Sequence, residues 1–274
     1  MRFFFNRIIA YCDRIYGEKE ENMSLDQIRW QHAKDKIIGI NRERQQIGTL
    51  SEKTVHAVVK NYYEPNEDYQ EIPIEGKCAD IYTADGKIIE IQTRAWNKLK
   101  DKLDIFLQSY DVTAVLPMPD HKQIIWIDPD TGELCKPGPN KRCYSRYAPL
   151  IEIYKIRKYL NNPNMHVRIL KLDMIEYKLL SGRSRDRKRF GAERFDRIPT
   201  NLTDEIVLDM PEDYMQYVPE NLPDEFKSKD FAKAAKLTER ATGYVIGLLK
   251  EIGIIEKIGT AERGAYVYRI KENY

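Results

Sequence analysis

The chain has 274 residues, a formal net charge of +2 and 32% charged residues of mixed sign. That length holds one large or two modest domains. Charge so near balance gives no global nucleic-acid signal, so any such signal has to be local. No apolar run is long enough to span a bilayer. The four cysteines, Cys12, Cys78, Cys135 and Cys143, form no CxxC pair, which argues against zinc and disulfides and for free thiols in a cytoplasmic protein.

Taken in order, the chain opens on an apolar Met1-Arg2-Phe3-Phe4-Phe5 broken by Arg7, without a small-residue cleavage site. Residues 1–22 read as a peripheral helix or as an extension ahead of a second start at Met23. Ser24 as N-cap, Gln27 at the third position and Met23 against Ile28 predict a helix start. Apolar residues at helical spacing carry that helix through 25–41. A short helix follows over 49–60. Its Thr49 and Glu52 match a capping box, so Glu52 has a purely structural use open to it. Residues 62–69 read as a loop whose Tyr62 and Tyr63 either cover the core or stack on bases. Residues 70–74 read as an edge strand, since Pro73 is tolerated there.

The most informative stretch is 78–102, CADIYTADGKIIEIQT followed by RAWNKLKDK. Two apolar runs flank Ala84-Asp85-Gly86, a hairpin signal with glycine supplying the positive φ. A two-residue turn would put Asp80 and Glu90 on opposite faces. A three-residue loop pairs Thr83 with Lys87 and sets Asp80 directly opposite Glu90. The second register is preferred, because it gives a wholly apolar rear face (Ala79, Ile81, Ile89, Ile91) and gathers the acids with Gln92. Two opposed carboxylates repel, so a cation belongs between them, a divalent metal being the simplest. The bland alternative is an exposed polar sheet face. An amphipathic helix is predicted over 96–110, then strands over 112–117 and 122–128. Strand, helix and strand make a right-handed βαβ unit.

Helix-β-β-β-α-β, with Asp on one hairpin strand and Glu-x-(Lys or Gln) on the next, resembles the PD-(D/E)XK nuclease superfamily of restriction endonucleases and Holliday-junction resolvases. The resemblance covers roughly residues 48–128. It implies Mg²⁺ (or Mn²⁺) held by Asp80, Glu90 and the carbonyl of Ile91, with Glu52 resembling the acid often found on the first helix. Gln92 stands where Lys is usual. Gln carries no charge and only orients a water, so Lys98 or Lys102 is the candidate migrated lysine. Alternatively the metal lowers the water pKa and Gln92 only orients that water, or the site is degenerate. Arg94, Lys98, Lys100 and Lys102 read either as a solvated helix face or as neighbours of a scissile phosphate.

Beyond it, residues 147–160 read as helix and 167–172 as strand, with 174–180 continuing it or leading onward. The window 182–197 holds Arg183, Arg185, Arg187, Lys188, Arg189, Arg194 and Arg197 with Phe190 and Phe195. Arginine with interleaved aromatics suits a phosphate backbone, and a charged linker is the plain alternative. Two capped helices near 228–235 and 238–250 and a hairpin over 253–270 resemble a winged-helix domain. Its second helix would enter the major groove, with Arg240 on phosphate, unless the module binds protein.

The expected class is α/β, a restriction-endonuclease-like α-β-β-β-α-β core with a C-terminal winged helix-turn-helix domain. The expected divisions are an N-terminal helical extension at 1–47, the nuclease-like domain at 48–181, a basic linker at 182–225 and the winged helix at 226–274. The expected activity is metal-dependent hydrolysis of DNA phosphodiester bonds by Asp80, Glu90, Gln92, Lys102 and Glu52. Duplex cleavage points to a homodimer, RNA or branched DNA is a further substrate class, and no membrane is involved. The alternative is an inactive nuclease-fold protein that binds nucleic acid or a partner through the basic segment and winged helix.

Overall fold

A computed structural model describes residues 24–39, 50–128, 130–135, 138–139, 141–142, 145–179, 193–261 and 264–271. It is a mixed α/β structure. Among the described residues the elements run α1 (Leu25–Gly39), α2 (Leu50–Tyr63), β1 (Gln70–Ile74), β2 (Lys77–Tyr82), β3 (Ile88–Ile91), α3 (Lys100–Phe106), β4 (Val112–Ile127), β5 (Lys141–Arg142), α4 (Ala148–Ile153), β6 (Met165–Leu179), β7 (Glu193–Leu208), β8 (Phe226–Lys227), α5 (Ser228–Ala235), α6 (Glu239–Glu251), β9 (Ile255–Thr260) and β10 (Tyr266–Ile270). One sheet has the order β1-β2-β3-β4-β6-β7 with β5 paired to β4, and a second has β8-β10-β9. None of the described helices is long and apolar enough to cross a membrane.

The chain divides into two compact units, each drawn from three segments. The first comprises residues up to 70, 117–143 and 170–205. In it the expected Ser24 cap forms: Gln27 N–H donates to Ser24 Oγ at 3.3 Å and Ser24 N–H to Gln27 Oε1 at 3.0 Å. Trp30, Ala33 and Ile37 of α1 are buried, as are Val55, Val58, Val59 and Tyr62 of α2. Trp30 meets Tyr62 edge to face at 5.6 Å. Tyr62 and Tyr63 therefore end a helix instead of lying in a loop, and Tyr62 is a core residue, so it stacks on no base. Ile28 is 40% exposed. Ile125, Ile127, Ile175, Tyr177 and Ile198 form the strand-side core. Thr54 Oγ1 donates to the buried Asp196 at 3.0 Å, tying α2 to β7.

The second unit comprises residues 71–116, 144–169 and 206–274. β3 and β4 pair in parallel, Ile88 with Val112 through Ile91 with Val115. A 3₁₀ turn (Trp96–Leu99) and α3 connect them, burying Trp96, Leu99, Leu103 and Phe106. The connection is shorter than the helix expected over 96–110. The apolar spacing marks the buried face, but the helix ends at Phe106 and a turn over residues 107–110 leads into β4.

Two other expectations are corrected. The strands expected at 112–117 and 122–128 are one continuous β4. Gln92 N–H donates to Val115 carbonyl, so odd-numbered residues of β4 turn their backbone polar groups toward β3. Pro117 and Pro119 share that parity and lie beyond the last β3 pair, where no N–H is required of them. Within the expected linker, residues 193–208 form β7 and Pro211–Tyr217 a 3₁₀ helix. The C-terminal helices and hairpin fall as expected, with Thr238 Oγ1 capping α6 at Ala241 N–H (3.3 Å). The short β8, pairing with β10, was not expected.

Candidate functional site

The site is built on the β2–β3 hairpin, inside the second unit. Gly86 has φ +82°, Thr83 N–H donates to Lys87 carbonyl at 2.8 Å, and Gly86 N–H to Thr83 carbonyl at 2.9 Å. Thr83 Oγ1 bonds Asp85 at 2.6 Å and accepts from Lys87 N–H at 2.9 Å, stiffening the loop. Ile81 pairs with Ile89 and Tyr82 with Ile88. Counting back one position sets Asp80 opposite Glu90, the register that collects the acids. On the expected apolar rear face Ala79, Ile81 and Ile91 are buried and Ile89 is half-buried, and Ile88, on the Glu90 side, is buried too.

Beyond Ile81 the acids themselves replace ladder bonds. Ile91 N–H donates to Asp80 Oδ2 at 2.8 Å, and Asp80 N–H donates to Glu90 Oε1 at 3.3 Å. Each carboxylate thus has one oxygen engaged by the opposite strand. The other oxygens meet one cation: Lys102 Nζ lies 2.7 Å from Glu90 Oε2 and 3.8 Å from Asp80 Oδ1. Lys102 stands in the first turn of α3, which the βα crossover carries back over the hairpin. The cation that the opposed acids require is supplied by the chain.

The electrostatics follow from burial. The Glu90 side chain is 2% exposed, Asp80 13% and Lys102 27%. Burial first, and the Asp80 charge second, push the Glu90 carboxyl up to about 7 against the pull of Lys102. For Lys102 burial is the largest single influence and favours the neutral amine. The attraction of Glu90, its hydrogen bond and Asp80 together outweigh it and hold the ammonium above its ordinary range. Burial, with the Asp80 charge adding to it, is why Glu90 retains its proton so readily.

A hard divalent cation suits this donor set. Asp80 and Glu90 offer carboxylate oxygens, and Ile91 turns its carbonyl to the same strand edge as the N–H that reaches Asp80. Among the described residues no group of three or more His, Cys, Asp or Glu could hold a metal ion, so an ion here would rely on two carboxylates, a carbonyl and water.

The other predicted residues are distributed differently. Gln92 Nε2 donates to the Arg94 carbonyl, while Trp96 Nε1 donates to the Gln92 carbonyl at 2.9 Å. Gln92 and Trp96 brace the loop between β3 and the 3₁₀ turn, in which Ala95 takes a left-handed φ of 57°. Gln92 is thus a loop strut in this structure. Trp96 went unassigned in the sequence, where only its apolar spacing could be read. Arg94 and Lys98 are exposed. Glu52 lies in the first turn of α2, in the first unit, and its side chain is outside the described residues. Arg183, Arg185, Arg187, Lys188 and Arg189 also fall outside them.

Arg240 is exposed at the start of α6, its guanidinium over the Tyr244 ring at 5.9 Å. The rest of α6 is not open on all sides. Tyr244 packs on Tyr154 at 5.1 Å, Arg157 lies 3.6 Å from Glu251, and Asn161 Nδ2 donates to Glu251 carbonyl at 2.9 Å. A helix expected to enter a major groove therefore has one face covered by the segment 154–161, leaving Glu239, Arg240, Gly243 and Lys250 exposed.

Fold and site together define an α/β protein with a partly buried Asp–Glu–Lys cluster on a hairpin and its crossover helix. Residues 53–209, more than half of the chain, match the family model described as "Domain of unknown function (DUF8091)", and the chain belongs to that family. The match includes Asp80, Glu90, Gln92 and Lys102. An uncharacterized protein of Treponema pallidum (strain Nichols) is 26% identical over 145 residues, covering 52% of this chain and 57% of that protein. The chain thus spans less than two thirds of that relative's length. No solved structure matches.

Proposed function

We propose that the chain is a metal-dependent endonuclease of PD-(D/E)XK type that hydrolyses DNA phosphodiester bonds. One observation carries the reading: Asp80 Oδ1 and Glu90 Oε2, from opposed strands, converge on a single cation position, taken in this structure by Lys102 Nζ. The element order α2-β1-β2-β3-α3-β4, with β3 parallel to β4, is compatible with that superfamily's core. Asp80, Glu90 and the Ile91 carbonyl would hold the ion. Mg²⁺ or Mn²⁺, when bound, supplies positive charge that stabilises the scissile phosphate and acidifies a water. Lys102, as the migrated lysine, holds the attacking water or a phosphate oxygen by its ammonium donors. Arg94, at the exposed end of the braced loop, neutralises a neighbouring phosphate. β8–β10 with α5 and α6 form a winged-helix-like module that assists through Arg240 and the hairpin, since part of α6 is covered. Cutting both strands of a duplex takes two such sites, so a homodimer is the working form.

A second reading is favoured by Gln92. Its amide is committed to the Arg94 carbonyl and brings no charge to the acids, as in a nuclease fold kept for binding alone. Incubation with Mg²⁺ or Mn²⁺ and duplex, branched and single-stranded DNA, with matched RNAs, separates the two. Wild type should cleave at least one substrate, and Asp80→Asn or Glu90→Gln should lose roughly 10²-fold or more of the rate. Binding without cleavage, together with no affinity for Mn²⁺, would leave the second reading standing.

A further inference from the structure

We propose that Lys102 is the built-in counter-ion of the acid pair and competes with the divalent cation for the same position, so that Lys102 weakens metal binding as well as serving the reaction. The inference rests on the metal-site reading above and deepens it. Asp80 Oδ1 and Glu90 Oε2 both face Lys102 Nζ, at 3.8 and 2.7 Å. An ammonium and a divalent ion cannot share that space, because like charges at contact distance repel strongly where water is scarce.

The two partners differ in freedom. Glu90 is 2% exposed and pinned through Asp80 N–H, whereas Lys102 is 27% exposed on a flexible four-carbon stem. Lys102 is the group that yields. Charge favours the exchange. Among these three side chains, two ionised acids and one ammonium sum to −1, and a divalent ion in place of the ammonium brings that sum to zero. Once displaced, the ammonium remains tethered to α3 beside the site, where a phosphate oxygen or water is its next partner.

Calorimetric titration of the full chain with Mn²⁺ tests the exchange. Lys102→Met should bind Mn²⁺ roughly tenfold more tightly than wild type, a factor usual for coupling between competing ligands. Equal or weaker binding by the variant overturns the competition while leaving the metal site intact. Failure of both proteins to bind Mn²⁺ overturns the metal-site reading and the competition with it. Because removal of Lys102 can impair folding, a second measurement uses the unaltered protein. The ammonium resonance of Lys102 in lysine-selective NMR spectra should shift as Mg²⁺ is added. A resonance that stays fixed while calorimetry detects Mg²⁺ binding overturns the proposal.

Discussion

Glu90 carries a carboxyl into a place that water scarcely reaches, and its acidity records the cost. With its ordinary value near 4.5 and a folded value of about 7, the native state holds the proton more tightly than the unfolded chain between those limits. Stability of the metal-free protein therefore falls as pH rises from about 4.5 to 7 and levels off above that window, by about 3 kcal/mol in all. Glu90→Gln should remove this decline, since an amide stays neutral throughout. Urea midpoints of the two proteins across that range test it, and parallel curves would show that Glu90 does not cause the loss. Asp80 was readable in the sequence because a carboxylate interrupts an apolar strand. Gln92 was readable only as a departure from a motif. Its bond to the Arg94 carbonyl depends on a loop conformation with Ala95 at positive φ, which no residue type announces.

At the scale of elements, periodicity served best where an element packs on one side. α1, β1, the hairpin and α6 lie close to where apolar spacing and caps put them. The crossover was read too long, because the apolar pattern runs on through Leu107 and Tyr110 after the helix has ended. β4 was split by its prolines, since which edge of a strand needs N–H donors is known only when the neighbour's length is known. α6 offers a paired test. A Cβ on Gly247 would stand 2.8 Å from the Tyr154 ring, which Tyr244 and Arg157 hold in place, whereas Gly243 has nothing within 4 Å. Gly243→Ala should stabilise by about 0.5–1 kcal/mol through helix propensity. Gly247→Ala should destabilise by about 1 kcal/mol, overpacking exceeding the same propensity gain. Thermal denaturation should move in opposite directions for the two variants; stabilisation by Gly247→Ala would mean that the ring yields.

For the molecule as a whole, nucleic-acid binding has to come from local charge, because the net charge is only +2. If Arg183, Arg185, Arg187, Lys188 and Arg189 contact phosphates, neutralising them should flatten the dependence of log affinity on log salt by close to one unit per lost contact. An unchanged slope removes the segment from the interface. The division into two units, each gathered from three stretches of chain, depends on long-range contacts, whereas sequence reading proceeds from one stretch to the next. By itself the sequence favoured one of two hairpin registers, because with a period of two only the three-residue loop gathers Asp80 and Glu90 on one side. Only the tertiary structure decided what lies between them. Lys102 is twelve residues from Glu90, and a βα crossover, whose length and path local propensity does not set, brings its ammonium to the two carboxylates.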